Sequence, residues 1–186
     1  MSTIDNTPAG YRFIPAVMQY SGGVAALPGF RLERVRFANP VPMAEGWRRI
    51  GAHLDAIGRP RTAFAACELR SPAPFTEDGF RAFNTGYAKV LGEWGILRDG
   101  HNPVARSNVC PRVAPPAAPG FHAFCFTVPD ADAAPSFVVA GSGESVEGKG
   151  TYRENTVAYG DTSPAGMLKK GVHVLGEMER RMGLLG

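Results

Sequence analysis

The stretch Asn102-Pro103-Val104-Ala105-Arg106-Ser107-Asn108-Val109-Cys110 decides how the rest of the chain is read. It follows two amphipathic helical patterns and reads as a strand whose one charge, Arg106, lies among small and apolar neighbours. A guanidinium in a strand otherwise fit for a core is costly unless it meets an anion. Its planar fork of donors matches a carboxylate. A regular strand puts Asn108 and Cys110 on the same face as Arg106, because side chains alternate. The stretch therefore predicts either a carboxylate-binding site on a sheet or a structural Arg paired with an internal acid.

Upstream, Pro42 to Gly58 carries Met43, Trp47, Ile50, Leu54 and Ile57 at spacings of four and three. This is one helix with a single apolar stripe, stopped by Gly58 and Pro60. Thr62–Leu69 is nearly continuous in apolar residues and predicts a central strand buried on both sides. Thr76 caps a second helix with Glu77 and Asp78 in its first turn, and Phe75 is placed to staple onto Phe80. Phe80, Phe83, Tyr87, Leu91 and Trp94 recur at helical spacing and predict core packing in preference to a ligand box.

Further out, Tyr20–Val24 predicts a short strand and Phe30–Phe37 a longer one. The alternation of the latter slips between Glu33 and Arg34, as a bulge or two-sided exposure would produce. Arg112–Pro119 is a stiff loop that cannot join a ladder, and Phe121–Val128 is an aromatic-rich strand. The order β-β-α-β-α-β-β predicts an α+β layer, a mixed sheet with both helices on one face. The other face, with apolar residues of its own, is expected to pack against another subunit.

Pro103-Val-Ala-Arg106-Ser107 resembles the Pro-Ala-Arg-Ser motif of the Rid family, the reactive-intermediate deaminases also called YjgF-like proteins. The likeness extends from about Val17 to Val128. Tyr20-Ser-Gly-Gly-Val24 is similar to the family's N-terminal Tyr-Ser-x-x-Val segment, and the helix ending Ala56-Ile57-Gly58 to its helix ending Ala-Ala-Gly. Phe80-x-x-Phe83-Asn84-x-x-Tyr87 resembles its Phe-x-x-Asn-x-x-Tyr helix. The resemblance implies a chorismate-mutase-like fold, a homotrimer with inter-subunit sites, and hydrolysis of enamines and imines to ketones and ammonia. It makes Arg106 the carboxylate anchor and Tyr20 a pocket residue from the neighbouring subunit.

The departures are specific. Ala38-Asn39 stands where the family has a small Ser, which makes Asn39 a substrate-binding candidate. Asn108 replaces the Cys that follows the motif's Arg, and the Glu that helps hold the attacking water falls near His122. An unperturbed imidazole titrates near neutrality and suits proton transfer. Cys110 has no His beside it in sequence, which disfavours thiol catalysis. Glu144, in Gly141-Ser-Gly-Glu144, is a candidate to replace the missing water-holding Glu. That loop lacks the Gly-Lys-Ser/Thr ending of a phosphate loop.

The expected organisation is an N-terminal arm over 1–16, a Rid-like α+β domain over 17–128, and a strand–helix extension over 129–186 packed on the same domain. In the extension Ser136–Ala140 predicts a strand. Thr162 or Ser163, with Pro164, starts a helix whose stripe is Leu168, Val172, Leu175 and Met182.

Composition sets the outer bounds. A chain of 186 residues, 44% hydrophobic, can bury a single-domain core. It holds no apolar run long enough to span a membrane and no signal-peptide pattern. Three cysteines without a CxxC pair argue for a reducing compartment, hence a cytoplasmic location. Four scattered histidines give no zinc spacing, and neither metal nor cofactor is expected. A net charge of +3 without interleaved basic and aromatic strands speaks against nucleic acid. The functional expectation is a hydrolytic deaminase of small carboxylate-bearing enamines or imines. Its competitor is a non-catalytic, small-acid-binding or regulatory trimer.

Overall fold

The structure, a computed structural model, describes residues 2–141, 143–146 and 149–186. Its strands are β1 (Ile4–Asn6), β2 (Tyr11–Phe13), β3 (Gly23–Ala26), β4 (Phe30–Pro42), β5 (Phe64–Arg70), β6 (Ala105–Val109), β7 (Gly120–Pro129) and β8 (Phe137–Val139). Its α-helices are α1 (Met43–Ala56), α2 (Glu77–Glu93), the single turn α3 (Tyr152–Asn155) and α4 (Pro164–Leu185).

The strands form two four-stranded sheets, ordered β4-β7-β5-β6 and β1-β2-β3-β8. In the larger sheet β4, β7 and β5 are antiparallel in turn and β6 runs parallel to β5. The mixed sheet expected from the sequence is thus present, with β5 in its interior. Trp47, Ile50 and Leu54 of α1 and Tyr87 and Leu91 of α2 close onto Phe64, Leu69, Phe121, Phe124 and Phe126. Trp47 lies edge-on to both Phe64 and Phe121, at 5.5 and 4.7 Å. Such aromatic pairs add to the stabilisation from burial alone. Gly46 permits the approach, because a Cβ there would run into the Phe121 ring.

The opposite face departs from expectation. Ala65, Ala66, Ala105 and Cys125 are covered by Tyr11, Phe13, Val24 and Ala140, all from the chain's own smaller sheet or beside it. Residues 4–13, expected as an arm, supply β1 and β2 of that sheet. Alanines line the contact, so the sheets come close without needing a second subunit there. Beyond this cover, the same face carries Arg34, bonded to Glu68 through two nitrogens at 2.6 and 3.0 Å.

The slip read at Glu33–Arg34 is two-sided exposure. Leu32 packs toward the smaller sheet and Val35 and Phe37 toward the helices. The pairing of β4 with β7 stays regular to Arg36, and the irregularity falls between Arg36 and Val41.

In the extension β8 pairs antiparallel with β3, which ties residues 137–139 to the N-terminal sheet. The Ser163 hydroxyl caps α4 by accepting from the Gly166 amide at 3.2 Å. Leu185 buries with Ile14 and Ala25, and the Leu185 carbonyl accepts from Arg12 Nη2 at 2.6 Å. The stripe expected to bury this helix does not do so. Leu168, Val172 and Leu175 are 68, 64 and 63% exposed. Arg181, only 1% exposed, is what enters the fold. It donates to the Ala140 carbonyl at 3.2 Å and to Glu177 at 2.9 Å.

Candidate active site

Arg106 stands on β6, beside Cys67 of β5. Its side chain turns toward α2 and is 4% exposed. Three rings surround the guanidinium carbon: Tyr87 at 4.7 Å, Tyr20 at 5.4 Å and Phe83 at 5.8 Å. One terminal nitrogen, Nη2, donates to Asn84 Oδ1 at 2.7 Å. The other, Nη1, is buried and has no hydrogen-bond partner among the described residues.

Among the described residues no carboxylate pairs with Arg106, and its side-chain hydrogen-bond partner is the Asn84 amide oxygen. Rings favour a cation through their quadrupoles, but they leave its outward N–H unsatisfied. A buried, unpaired N–H on a charged group costs roughly 1–3 kcal/mol, and an entering carboxylate would recover it.

The local sequence explains the cage. Thr76 accepts from the Gly79 amide at 3.1 Å and fixes the start of α2. Phe75 then stacks on Phe83 at 5.1 Å. From that start, residues 80, 83, 84 and 87 share one face of the helix. Asn84 Nδ2 also donates to the Phe80 carbonyl at 2.7 Å, which turns Oδ1 toward Arg106. The Tyr87 hydroxyl lies 3.5 Å from Cys67 Sγ. Burial pushes the Cys67 thiol up to about 11 and Cys125 to about 12, so neither is a thiolate near neutrality.

A cavity of about 560 Å³ opens beside Tyr20 and Phe80. Val17, Gln19, Glu77 and Arg81 form one part of its wall, and Gly143, Ser145, Val146 and Lys149 of the extension form another. The extension therefore builds part of the cavity.

The other expected site residues lie elsewhere. Tyr20 reaches Arg106 within one chain, where a neighbouring subunit was expected to supply it. Asn108 is exposed and exchanges hydrogen bonds with the Ser71 hydroxyl at 2.9 and 3.0 Å. Asn39 lies exposed in the irregular stretch of β4. Glu144 pairs with Lys170 at 3.5 Å, while its neighbours Gly143 and Ser145 line the cavity. His122 sits where β7 breaks register with both neighbours. Burial and the charges of Arg70, Arg34 and Arg36 lower its pKa against the pull of Glu68, which keeps the imidazole neutral near pH 7. The group sequence reading missed is Asn84 with Phe83 and Tyr87. The signal was the helix motif itself, taken for core packing.

The chain matches the family described as 2-aminomuconate deaminase CnbZ over residues 3–186. It belongs to that family. A curated relative from Comamonas testosteroni, 2-amino-5-chloromuconate deaminase, is 55% identical over 182 residues, covering 97% of this chain and 72% of the relative. A crystal structure of a YjgF-family protein from Neisseria meningitidis aligns with 66% of this chain and 97% of its own, at 19% identity and a TM-score of 0.28. That superposition is too loose to carry an argument. The deaminase reading drawn from the Rid-like motifs is borne out by the family and the relative: the chain is a deaminase of carboxylate-bearing small molecules. The competing non-catalytic reading falls away. No cluster that could hold a metal ion occurs among the described residues, and none of their helices is long and apolar enough to cross a membrane.

Proposed function

We propose that the protein is a hydrolytic deaminase of muconate-type enamines, with Arg106 as the anchor for the carboxylate beside the amino-bearing carbon. The observation that carries this is the buried Nη1 of Arg106, on a guanidinium caged by three rings, with no acid beside it among the described residues. A 2-aminomuconate is an unsaturated six-carbon diacid whose amino group sits next to one carboxylate. Protonation at carbon converts the enamine to an iminium. Water adds to the nitrogen-bearing carbon of that iminium, a proton passes from the added water to nitrogen, and ammonia leaves as the carbonyl forms.

Each step needs an oriented substrate more than a potent nucleophile, so positioning supplies much of the rate. Arg106 and Asn84 fix the carboxylate, and the rings of Tyr20 and Phe83 flank the planar diene. Arg81, on the cavity wall one helical turn before Asn84, meets the far carboxylate. His122, neutral at pH 7, takes the proton from the attacking water.

His122 and Arg106 belong to different groupings within one chain, which favours assembly as a homotrimer through the open part of the larger sheet. Asn39, Asn108 and Glu144 then complete the pocket wall around the water. The Rid-like part extends over 17–128 in a chorismate-mutase-like arrangement, with 129–186 as the added wall. The compartment is cytoplasmic, and the reaction requires no cofactor.

The test is ammonia release from a 2-aminomuconate generated in situ. Arg106→Met is expected to lower kcat/KM by about 10²–10³-fold, the worth of a buried charge-assisted pair. Release at the wild-type rate in Arg106→Met would remove the anchor.

A further inference from the structure

We propose that the outward face of α4 is a self-complementary interface, on which a second copy of this chain docks its own α4 antiparallel about a two-fold axis. Ala165, Leu168, Val172, Leu175, Glu179 and Met182 recur at alternating spacings of three and four. Every one of them is exposed, while Gly166, Arg181 and Leu185 take the opposite, buried side. A helix ordinarily turns its apolar stripe inward. A stripe this long facing water marks an interaction site, and its spacing is that of a two-helix seam.

The occupant follows from the order of residues along the seam. In an antiparallel pair centred between Val172 and Leu175, each of these faces the other in the second copy. Ala165 then meets Met182, and Leu168 meets Glu179. The one acid in the stripe thereby falls beside Lys169 of the second copy. Lys169 is exposed, whereas its neighbour Lys170 is taken by Glu144. Gly171 and Gly176 face one another across the same axis, and among the described residues nothing would meet a Cβ at either one. They leave room for two backbones to come close. Identical patches meeting about a two-fold are the commonest form of protein self-association. A parallel pair would instead set Glu179 against Glu179.

The helix is about 33 Å long at 1.5 Å per residue, so the pair alone buries less than the ~800 Å² per partner of a standard interface. The association is therefore concentration-dependent, and it multiplies whatever assembly the larger sheet makes.

Light scattering across micromolar concentrations tests this on the full chain. Leu168→Glu/Leu175→Glu is expected to halve the mass of the largest species and leave ammonia release intact, which shows that the variant is folded. Glu179→Lys and Lys169→Glu are each expected to weaken association, and together to restore it. An unchanged mass in the leucine variant would overturn the proposal. So would failure of the double charge reversal to restore association, since that would assign the face to a different partner.

Discussion

Helix α2 repeats an apolar residue every three or four positions from Phe80 to Trp94, and α4 does the same from Leu168 to Met182. On α2 the repeat points inward: Tyr87 and Leu91 are buried against the larger sheet, with Phe83 and Trp94 packed beside them. On α4 it points to water, and the helix is held instead by Arg181 and by Leu185 at its end. Periodicity thus shows that a helix has an apolar face without showing what that face meets. The residue types carry the remaining information. The α2 stripe is aromatic and sits next to Asn84, which suits a wall around a cation. The α4 stripe is aliphatic, interrupted by an acid and flanked by glycines, which suits an approach by another helix.

The sharpest break in this comparison is a matched pair of truncations. Tyr87→Ala empties a site packed against Trp47, Cys67 and Arg106. It is expected to cost about 3–5 kcal/mol by chemical denaturation, the usual range for a large buried side chain. Leu175→Ala, measured at a concentration that disfavours self-association, should stay within about 0.5 kcal/mol. A similar cost at both positions would mean that the α4 stripe is packed within one chain after all.

A second test addresses how α4 is held. Glu177 is kept down at about 2, chiefly by its bond to Arg180, with Arg181 adding to the effect. A depressed carboxylate contributes stability that is present above its unfolded value, near 4.3, and is lost as pH falls toward the folded value. Glu177→Gln is expected to cost about 2 kcal/mol at pH 7, because it removes the carboxylate to which the buried Arg181 Nε donates. That corresponds to a fall in Tm of about 4–8 °C. The variant should also lose less stability than wild type between neutrality and pH 3. An equal loss in both proteins would dissociate the acid sensitivity from this pair.

The larger sheet was legible because each of its elements carries a local signal: the Thr76 cap, the 4-3 spacing from Met43, and the apolar run from Phe64. The smaller sheet was not. Its strands β1, β2 and β8 span three residues each, too few to show an alternation, and β8 lies over a hundred residues in sequence from its partner β3. In the site, Arg106 stood out as a charge in an apolar strand. Asn84 did not, because a polar residue on a helix ordinarily faces water, and only the approach of β6 turns it into a partner for Arg106. His122 was legible as a titratable group but not as a neutral one. Its lowered pKa comes first from burial and then from Arg70, Arg34 and Arg36 on other strands, which no local pattern brings together.

Asn84→Leu probes the α2 side of the comparison at the level of function. Leucine preserves bulk and removes the oxygen that holds Nη2 at 2.7 Å. The guanidinium remains but loses its orientation, so KM for the carboxylate substrate should rise about tenfold, the worth of roughly 1.4 kcal/mol, with a smaller effect on kcat. A collapse of kcat at unchanged KM would instead place Asn84 among the groups that act on the reacting carbon.

The smallest effect expected is a change of slope. Burial and three arginines lower the pKa of His122 below the ordinary imidazole value. A histidine of this kind is neutral in both folded and unfolded chains well above pH 6.5. As pH falls through the unfolded value, the unfolded chain takes up its proton first, and stability drops until the folded value is reached. The proposed role in water activation gives the same sign: kcat/KM should hold level above neutrality and fall in acid, as the imidazole charges and can no longer accept a proton. His122→Asn removes the titration and keeps a polar side chain on the strand. It is expected to flatten the stability slope as pH falls below about 6.5 while lowering ammonia release at pH 7.5. A flattened stability slope with an unchanged rate would leave His122 as a half-buried neutral residue of the sheet and pass the proton-accepting role to another group in the pocket.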